Sequence, residues 1–272
     1  MKKLLAIAAM AAMIPVAVLA QAAAQNKQAA TQNIQAATKW TGFYAGVNVG
    51  GAIGSSNVQT ATVYSSSTGY FGSTSVPAIA TTGNQNLSLD GVIGGGQFGY
   101  NRQVAPKWVL GAEADYDAFK TSTSATGTTV YPCCSPTAFT ITQKVSTDWI
   151  ATVRPRVGYT AGKRGLLFIS AGAAQTKINY SSLFTDTFAS ANESAAASVL
   201  RTGWIAGGGG EFALDKHWSA RAEYLYASFG NVKNAGTVLT AYSPPVSYPT
   251  NPFTHTATLT SNIARVAVNY RF

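Results

Sequence analysis

Acidic and basic side chains alternate with apolar residues along several segments of the sequence, and they are the groups best suited to acid–base chemistry. Glu113, Asp115 and Asp117 follow one another at intervals of two, as do Arg154 and Arg156. Two carboxylates on one face of a strand could transfer a proton if their pKa values were held apart. Pairing of opposite charges on neighbouring strands explains the same residues without a substrate, and we take it as the better interpretation.

A glycine-rich stretch offers a second chemical possibility, the phosphate-binding loop of a dinucleotide site. Gly94, Gly96 and Gly99 have the spacing of that loop, and Asp115 or Asp117 lies near the position expected for a ribose ligand. Such a loop must open a helix, whereas here a strand-like alternation continues past the glycines. We therefore expect these glycines to permit curvature and close packing within a strand.

The histidines and cysteines do not form a recognisable catalytic or metal-binding pattern. His217 belongs to a short DKH link, and His255 belongs to a stretch expected to be an external loop, where it has no evident acidic partner. Cys133 and Cys134 are adjacent, so they can bond only to each other and cannot join distant segments. The sequence therefore predicts no enzyme, no metal site and no cofactor.

The first residues predict export from the cytoplasm. Lys2 and Lys3 precede an apolar run that ends in small residues, which is typical of a signal peptide covering residues 1–20, or 1–24 if the later of the two cleavage points is used. A membrane anchor is the alternative, but the run is short and contains Pro15. Residues 21–39 are rich in Ala, Gln and Asn and are predicted to be a disordered periplasmic segment.

The charge balance suggests a partner for the exported chain. Loss of Lys2 and Lys3 takes 19 basic and 10 acidic residues to 17 and 10, a net charge of +7. Because there is no run of Lys or Arg and the chain is exported, nucleic acid is not an expected partner. We predict that the basic residues meet outer-membrane lipid headgroups and lipopolysaccharide.

The elements that position the charged residues are strands, because the apolar pattern has a period of two. Eight such segments follow one another between residues 40 and 272. Only 11% of residues are charged, against ~25% in ordinary soluble domains. The links after segments two, four and six are a few residues long, whereas the other links are roughly 15 to 30 residues long and rich in Ser and Thr, as external loops of membrane barrels are.

This pattern predicts an all-β fold, an eight-stranded antiparallel up-and-down transmembrane β-barrel spanning residues 40–272 with both termini in the periplasm. Charged side chains of the polar face would then fill the narrow lumen. This predicted charge network consists of Glu113, Asp115, Asp117, Arg154, Arg156, Arg201, Glu211, Arg221, Glu223, Arg265 and Arg271. The predicted interfacial aromatic girdle consists of Trp40, Trp108, Tyr116, Trp149, Tyr159, Trp204, Trp218, Tyr224 and Tyr226.

Five stretches of the sequence carry a resemblance to a known family: WTGFYAGVNVGG, GGQFGYNRQVAPKWVLGAEADYD, TVRPRVGY, GWIAGGGGEFALDKHWSARAEYLY and ARVAVNYRF. Together they resemble the small porin-like, opacity-protein-type outer-membrane β-barrels of Gram-negative bacteria. The resemblance implies an eight-stranded barrel in the outer membrane and assembly by periplasmic chaperones and the barrel-assembly machinery. It also implies that Phe272, with Tyr270, acts as the assembly signal.

One residue departs from the family pattern. Pro155 stands where such proteins more usually carry Gly, and proline has no N–H to give to a neighbouring strand. We therefore expect a bulge or a water at this point of the fourth strand.

The function expected from these features is structural. The leading hypothesis is a barrel that supports envelope integrity and displays its loops, without catalysis. A narrow porin-like diffusion channel and an adhesin or ligand-binding surface remain open as alternatives, and the sequence leaves the oligomeric state undetermined.

Overall fold

A computed structural model describes residues 38–272, which form one closed sheet and one short helix. The predicted signal peptide and all but the end of the predicted periplasmic segment lie outside the described residues. The strands are β1 (Gly42–Ala61), β2 (Gln85–Gln103), β3 (Trp108–Val130), β4 (Ala138–Ala161), β5 (Gly165–Asp186), β6 (Asn192–Ala213), β7 (Trp218–Ala241) and β8 (Val246–Arg271), and the helix is α1 (Ser75–Thr82). Within residues 38–272, no helix is both long and apolar enough to cross a bilayer.

The sheet closes because the first and last strands pair with each other. Each strand lies antiparallel to its neighbours in sequence order, and β8 returns to β1 with Val268 opposite Val47. Closure pairs the backbone groups that a membrane could not satisfy at an open edge. The predicted fold, an eight-stranded up-and-down barrel, is confirmed.

Alternation along each strand sorts side chains between lipid and lumen. On β3 the outward face is apolar from Trp108 to Ala118 and then becomes polar at Lys120. An apolar stretch of this length fits the ~9 to 11 residues that a tilted strand needs to cross a bilayer. Since β3 has 23 residues, its second half extends beyond the hydrocarbon. It does so on the side away from the short turns after β2, β4 and β6, which are residues 104–107, 162–164 and 214–217.

The prediction of four long loops is wrong for three of them. Residues 131–137, 187–191 and 242–245 are brief links, and only the β1–β2 link, residues 62–84, keeps the predicted length and contains α1. The Ser- and Thr-rich stretches instead continue the strands. Their outward hydroxyls pair across β3 and β4, with Thr126 Oγ1 3.0 Å from Thr142 Oγ1, while Phe139, Ile141 and Val145 of β4 face inward.

Of the bulge or water expected at Pro155, the bulge does not form. Opposite β5, Val153 pairs with Ala173 and Arg156 with Ser170, so the register is the same on both sides of the proline and only the intervening pairs are missing. The irregularities of β4 lie elsewhere, between Ser146 and Ile150 against β5. Proline is therefore accommodated by a local gap in the ladder and not by an extra residue.

The interior is built in levels from the short-turn end to the opposite end. A small apolar group around Trp40 comes first, followed by charged residues, and then a large apolar cluster that includes Phe119, Ile150 and Ile178. A buried polar layer around His255 lies above that cluster. A second apolar cluster, which we call the cap, closes the far end; it comprises Phe71, Ile79, Tyr131, Phe139, Ile141, Phe184, Ala191, Leu239, Ala241 and Phe253.

Candidate functional site

Charged side chains gather inside the lower half of the barrel because their strands place them on inward-facing positions. Nine of the predicted residues form this charge network: Glu113, Asp115 and Asp117 on β3, Arg154 and Arg156 on β4, Glu211 on β6, Arg221 and Glu223 on β7, and Arg265 on β8. Register brings opposite charges side by side, with Glu113 opposite Arg154 and Glu223 opposite Arg265. All nine are buried.

Asp115 lies between two arginines at the centre of this network. Its Oδ2 accepts from Arg154 Nη2 at 2.5 Å and from Arg265 Nη2 at 3.0 Å. Arg265 also donates from Nε to Glu223 at 2.5 Å and pairs with Asp117. Removal of either arginine would thus leave buried carboxylates with fewer cations, which is costly in a desolvated interior.

Glu113 connects the network to a tyrosine that the sequence analysis missed. Arg154 donates to Glu113 at 2.8 Å, Arg221 pairs with it, and the Tyr44 hydroxyl donates to it at 2.6 Å. The same hydroxyl accepts from Arg156 Nη1 at 2.9 Å. The Tyr44 ring lies over Gly99, where a Cβ would come within 2.4 Å of it, so the glycine of β2 makes room for the tyrosine of β1.

Uncharged polar residues complete the network and were also missed. Asn48 Nδ2 donates to Asp117 at 2.8 Å, and the Ser219 hydroxyl donates to Glu211 at 2.6 Å. The sequence could have identified them by their position in the alternating pattern. Each occupies one of the alternate positions of its strand that face the lumen, as the charged residues do. Buried carboxylates need such donors because each ionised oxygen can accept more than one hydrogen bond.

Two residues predicted for the charge network do not join it. Arg201 faces inward on β6, but its Nη2 donates to the backbone oxygen of Asn231 at 2.5 Å. Arg271 lies at the short-turn end, where it donates to the backbone oxygen of Asp215 at 3.0 Å and its guanidinium lies 4.8 Å from the centre of the Trp40 ring. Both lie away from the level of the carboxylates, since Arg201 is above it and Arg271 is below it.

The outward aromatic residues lie at two levels. Trp108 and Tyr159 are 5.5 Å apart near the short turns, and Tyr116 and Trp149 stack at 5.7 Å at the other apolar boundary. Trp218 belongs to the lower level, Trp204 and Tyr226 belong to the upper level, and Tyr224 donates to Asn262 nearby. Trp40 was predicted for the girdle, but it is buried inside the barrel beneath Arg271, because it precedes β1 and folds inward.

His255 does not lie in a loop and does have an acidic partner, contrary to the expectation. It is fully buried on β8, with Nε2 3.2 Å from Glu193 Oε1 and Nδ1 2.9 Å from Thr60 Oγ1. Gln143 Oε1 accepts from Thr60 at 3.1 Å and from Tyr180 at 2.9 Å. These five residues form the polar layer between the apolar cluster and the cap.

Cys133 and Cys134 are joined to each other in the β3–β4 turn, at the end of the barrel far from the short turns. Residues 38–272 contain no group of three His, Cys, Asp or Glu side chains that could hold a metal ion.

A closed antiparallel sheet with an apolar outer belt, two levels of interfacial aromatics and a charged interior defines a transmembrane β-barrel. The chain belongs to the outer membrane protein beta-barrel domain family, whose model matches residues 6–272. The family expected from the sequence is thereby confirmed, and so is location in the cell outer membrane.

Two relatives of similar sequence are bacterial outer-membrane proteins. The 31 kDa outer-membrane immunogenic proteins of Brucella melitensis and Brucella suis are each 32% identical to this chain over 200 residues, covering 70% of it and 72% of the relative. The outer membrane protease OmpT of Escherichia coli matches 86% of this chain and 98% of its own, with 10% identity and a TM-score of 0.48. OprG of Pseudomonas aeruginosa matches 88% and 99%, with 10% identity and a TM-score of 0.42.

Proposed function

We propose that this protein is a non-conducting barrel that reinforces the outer membrane and displays its far end at the cell surface. The observation that carries the proposal is the filled interior. An eight-stranded barrel is only wide enough for its own side chains, and here they occupy every level from Trp40 to the cap. A solute would have to displace paired charges and then apolar side chains.

The charge network supports a closed lumen because its cations are already engaged. Arg154 contacts Glu113, Asp115 and Glu223, and Arg156 contacts Glu211 at 3.1 Å. The guanidinium of Arg156 also lies 4.0 Å from the centre of the Phe168 ring, which keeps it in place below the carboxylates. Arginines held in this way are unlike the hydrated charges that line a selective pore.

The cap supports closure at the other end. Phe71 and Ile79, both from the β1–β2 link, fill the mouth of the barrel. Asp186 fixes this link and the β3–β4 turn, since Oδ2 accepts from the Tyr70 hydroxyl at 2.5 Å and from the Tyr131 hydroxyl at 2.9 Å. Burial and the Asp186 carboxylate raise the pKa of Tyr70 and of Tyr131 above the usual tyrosine range, so both hydroxyls stay protonated as donors.

A non-catalytic role is part of the proposal. Hydroxyl, imidazole and carboxylate follow one another in Thr60, His255 and Glu193, as they do in sites for acyl transfer. The Thr60 hydroxyl, however, donates to Gln143, and all three residues are buried between the apolar cluster and the cap, where a substrate could not reach them. We therefore assign them to the packing of the upper barrel.

A surface-binding role is the second candidate, and exposed aromatics at the far end favour it. Tyr64, Phe188 and Tyr242 are each about half exposed there, and exposed aromatics are common in protein interfaces. The Brucella relatives are named immunogenic outer-membrane proteins. A narrow channel, the third possibility, would require the charge network and the cap to open together.

A deletion strain tests the proposed role. Loss of the gene should increase sensitivity to detergent and leave the uptake of small hydrophilic solutes unchanged, and the full chain should restore resistance. Slower solute uptake with normal detergent resistance would instead favour the channel.

A further inference from the structure

The outer wall of the barrel carries a groove above the upper aromatic level, on strands β3 to β6. The groove has a volume of about 440 Å³, and Lys144 is one of its lining residues. Register places Lys144 opposite Ser124 of β3 and opposite Ser181 of β5, and Thr142 and Ser194 also line the groove. An exposed lysine thus shares the groove with hydroxyl-bearing residues of β3, β4, β5 and β6.

Two further lysines face outward just below this groove. Lys120 on β3 lies two positions beyond Ala118, the cross-strand partner of Trp149. Lys177 lies on β5 next to Thr176, the partner of Ile150 on β4. Asp148 faces outward on β4, in the irregular stretch between the strands of the two lysines. Adjacent strands are ~4.8 Å apart, so the backbones of Lys120 and Lys177 are separated by roughly 10 Å.

Lysines outnumber carboxylates on this wall, three to two. Lys120, Lys144 and Lys177 make no ion pair with any residue in the described part of the chain. The wall also carries two carboxylates, Asp148 on β4 and Asp90 on β2, the strand next to β3. On the outward face of β7, across the barrel, a single lysine, Lys233, occupies a comparable height.

We propose that this wall binds the phosphorylated sugar headgroup of lipopolysaccharide, the glycolipid of the outer leaflet. The phosphates would contact Lys120, Lys144 and Lys177, and the groove hydroxyls would accept and donate hydrogen bonds to the sugars. The acyl chains would lie on the apolar face directly below, which ends at the girdle residues Tyr116 and Trp149. Height decides the ligand, because only a lipid headgroup is held at the edge of the hydrocarbon.

This proposal adds a lipid-binding site to the proposed envelope role, and it rests on that role only because the barrel must span the outer membrane. Lipopolysaccharide molecules bound to the wall would be held together by the rigid barrel. Each lysine near a charged membrane surface contributes enough to change affinity about fivefold, so three together should change it on the order of 100-fold.

The test measures binding of bis-phosphorylated lipid A to the full chain, folded into neutral phosphatidylcholine vesicles. The variant combines Lys120→Gln, Lys144→Gln and Lys177→Gln, and Lys233→Gln is the matched control for a lysine on another wall. We expect about 100-fold weaker binding for the triple variant, about fivefold weaker binding for Lys144→Gln alone and less than a twofold change for Lys233→Gln. Lipid A without phosphates should bind the wild type as weakly as lipid A binds the triple variant.

Three results would overturn the proposal. The first is equal binding by the wild type and the triple variant, and the second is a loss for Lys233→Gln as large as that for Lys144→Gln, which would indicate diffuse attraction. The third is soluble glucosamine phosphate binding as tightly as lipid A, which would indicate a site for a free sugar phosphate. Heat-modifiability of every variant checks folding. Conductance of the same samples tests the closed lumen separately, so a failure of lipid A binding can be told apart from a failure of the proposed non-conducting role.

Discussion

Loss of Arg154 should destabilise the barrel without unfolding it, by an amount that the contacts of the network determine. Arg154 Nη2 contacts Glu113 at 2.8 Å and Asp115 at 2.5 Å, and Nη1 lies 3.6 Å from Glu223. Each of these carboxylates keeps another arginine after the change. We therefore expect Arg154→Met to cost about 3 kcal/mol, the lower end of the range for breaking a buried ion pair.

The same contacts predict that a second substitution is worse than additive. Arg265 is the other arginine in contact with Asp115, so the double variant Arg154→Met with Arg265→Met leaves that buried carboxylate without a cation. We expect the double loss to exceed the sum of the single losses by about 1 to 2 kcal/mol, within the range measured for coupled neighbours. Adding Asp115→Asn should recover that excess, because an uncharged amide tolerates the vacated site.

Equilibrium unfolding by guanidinium in lipid vesicles, followed by tryptophan fluorescence, measures these differences. Arg201→Met is the matched control, since Arg201 faces inward but donates to a backbone oxygen outside the network; it should cost about 1 kcal/mol or less. Strictly additive losses, or failure of Asp115→Asn to recover any stability, would show that the arginines do not act through a shared carboxylate.

Three other predictions concern the ends of the barrel. Deletion of Phe272 should leave secretion intact but sharply reduce the heat-modifiable folded form in the outer membrane, and normal folded levels would exclude its role as the assembly signal. Protease added to whole cells should cleave the turn at residues 242–245 and spare Asp215–His217; the reverse would mean an inverted topology. Because their pKa values are raised in the folded cap, Tyr70 and Tyr131 should stabilise it fully below the unfolded tyrosine value of about 10 and less above it. Unfolding measured from pH 8 to 12 should show this loss, and Phe at both positions should remove it.

The lower barrel could be predicted from the sequence because one rule governs it. In β3 the residues from Trp108 to Ala118 alternate apolar outward and polar inward, which is the sense expected when lipid surrounds the strand. The same parity selects Glu113 and Arg154 as cross-strand neighbours. Tyr44 escaped notice because a tyrosine on an inward position looks like an ordinary apolar residue until its hydroxyl meets a carboxylate.

The upper barrel could not be recognised in this way because the alternation reverses there. From Ala138 to Thr147, β4 carries Phe139, Ile141 and Val145 inward, and hydroxyl and amine groups outward. Apolar residues inward and polar residues outward are expected of a strand surrounded by water, and the Ser and Thr content of this stretch resembles that of a loop. The run Phe253, His255, Ala257 and Leu259 follows the same reversed rule, so the buried histidine was mistaken for a loop residue.

Trp40 and Arg271 show a different limit. An aromatic residue near the start of a strand is typical of an interfacial girdle, but Trp40 precedes β1 and its direction is set by its contact with Arg271. A contact between the two ends of a chain is a consequence of barrel closure and has no local signal in the sequence.

Conductance of the full chain in planar lipid bilayers tests the central claim most directly, because a filled lumen should pass no steady current. We expect no stable conducting steps in 1 M salt at either polarity, both for the wild type and for a variant that lacks the β1–β2 link, since the charge network seals the barrel below the cap. Stable, ion-selective steps in the wild type, altered by Arg154→Met, would contradict the account and would mean that the charges line a hydrated pore.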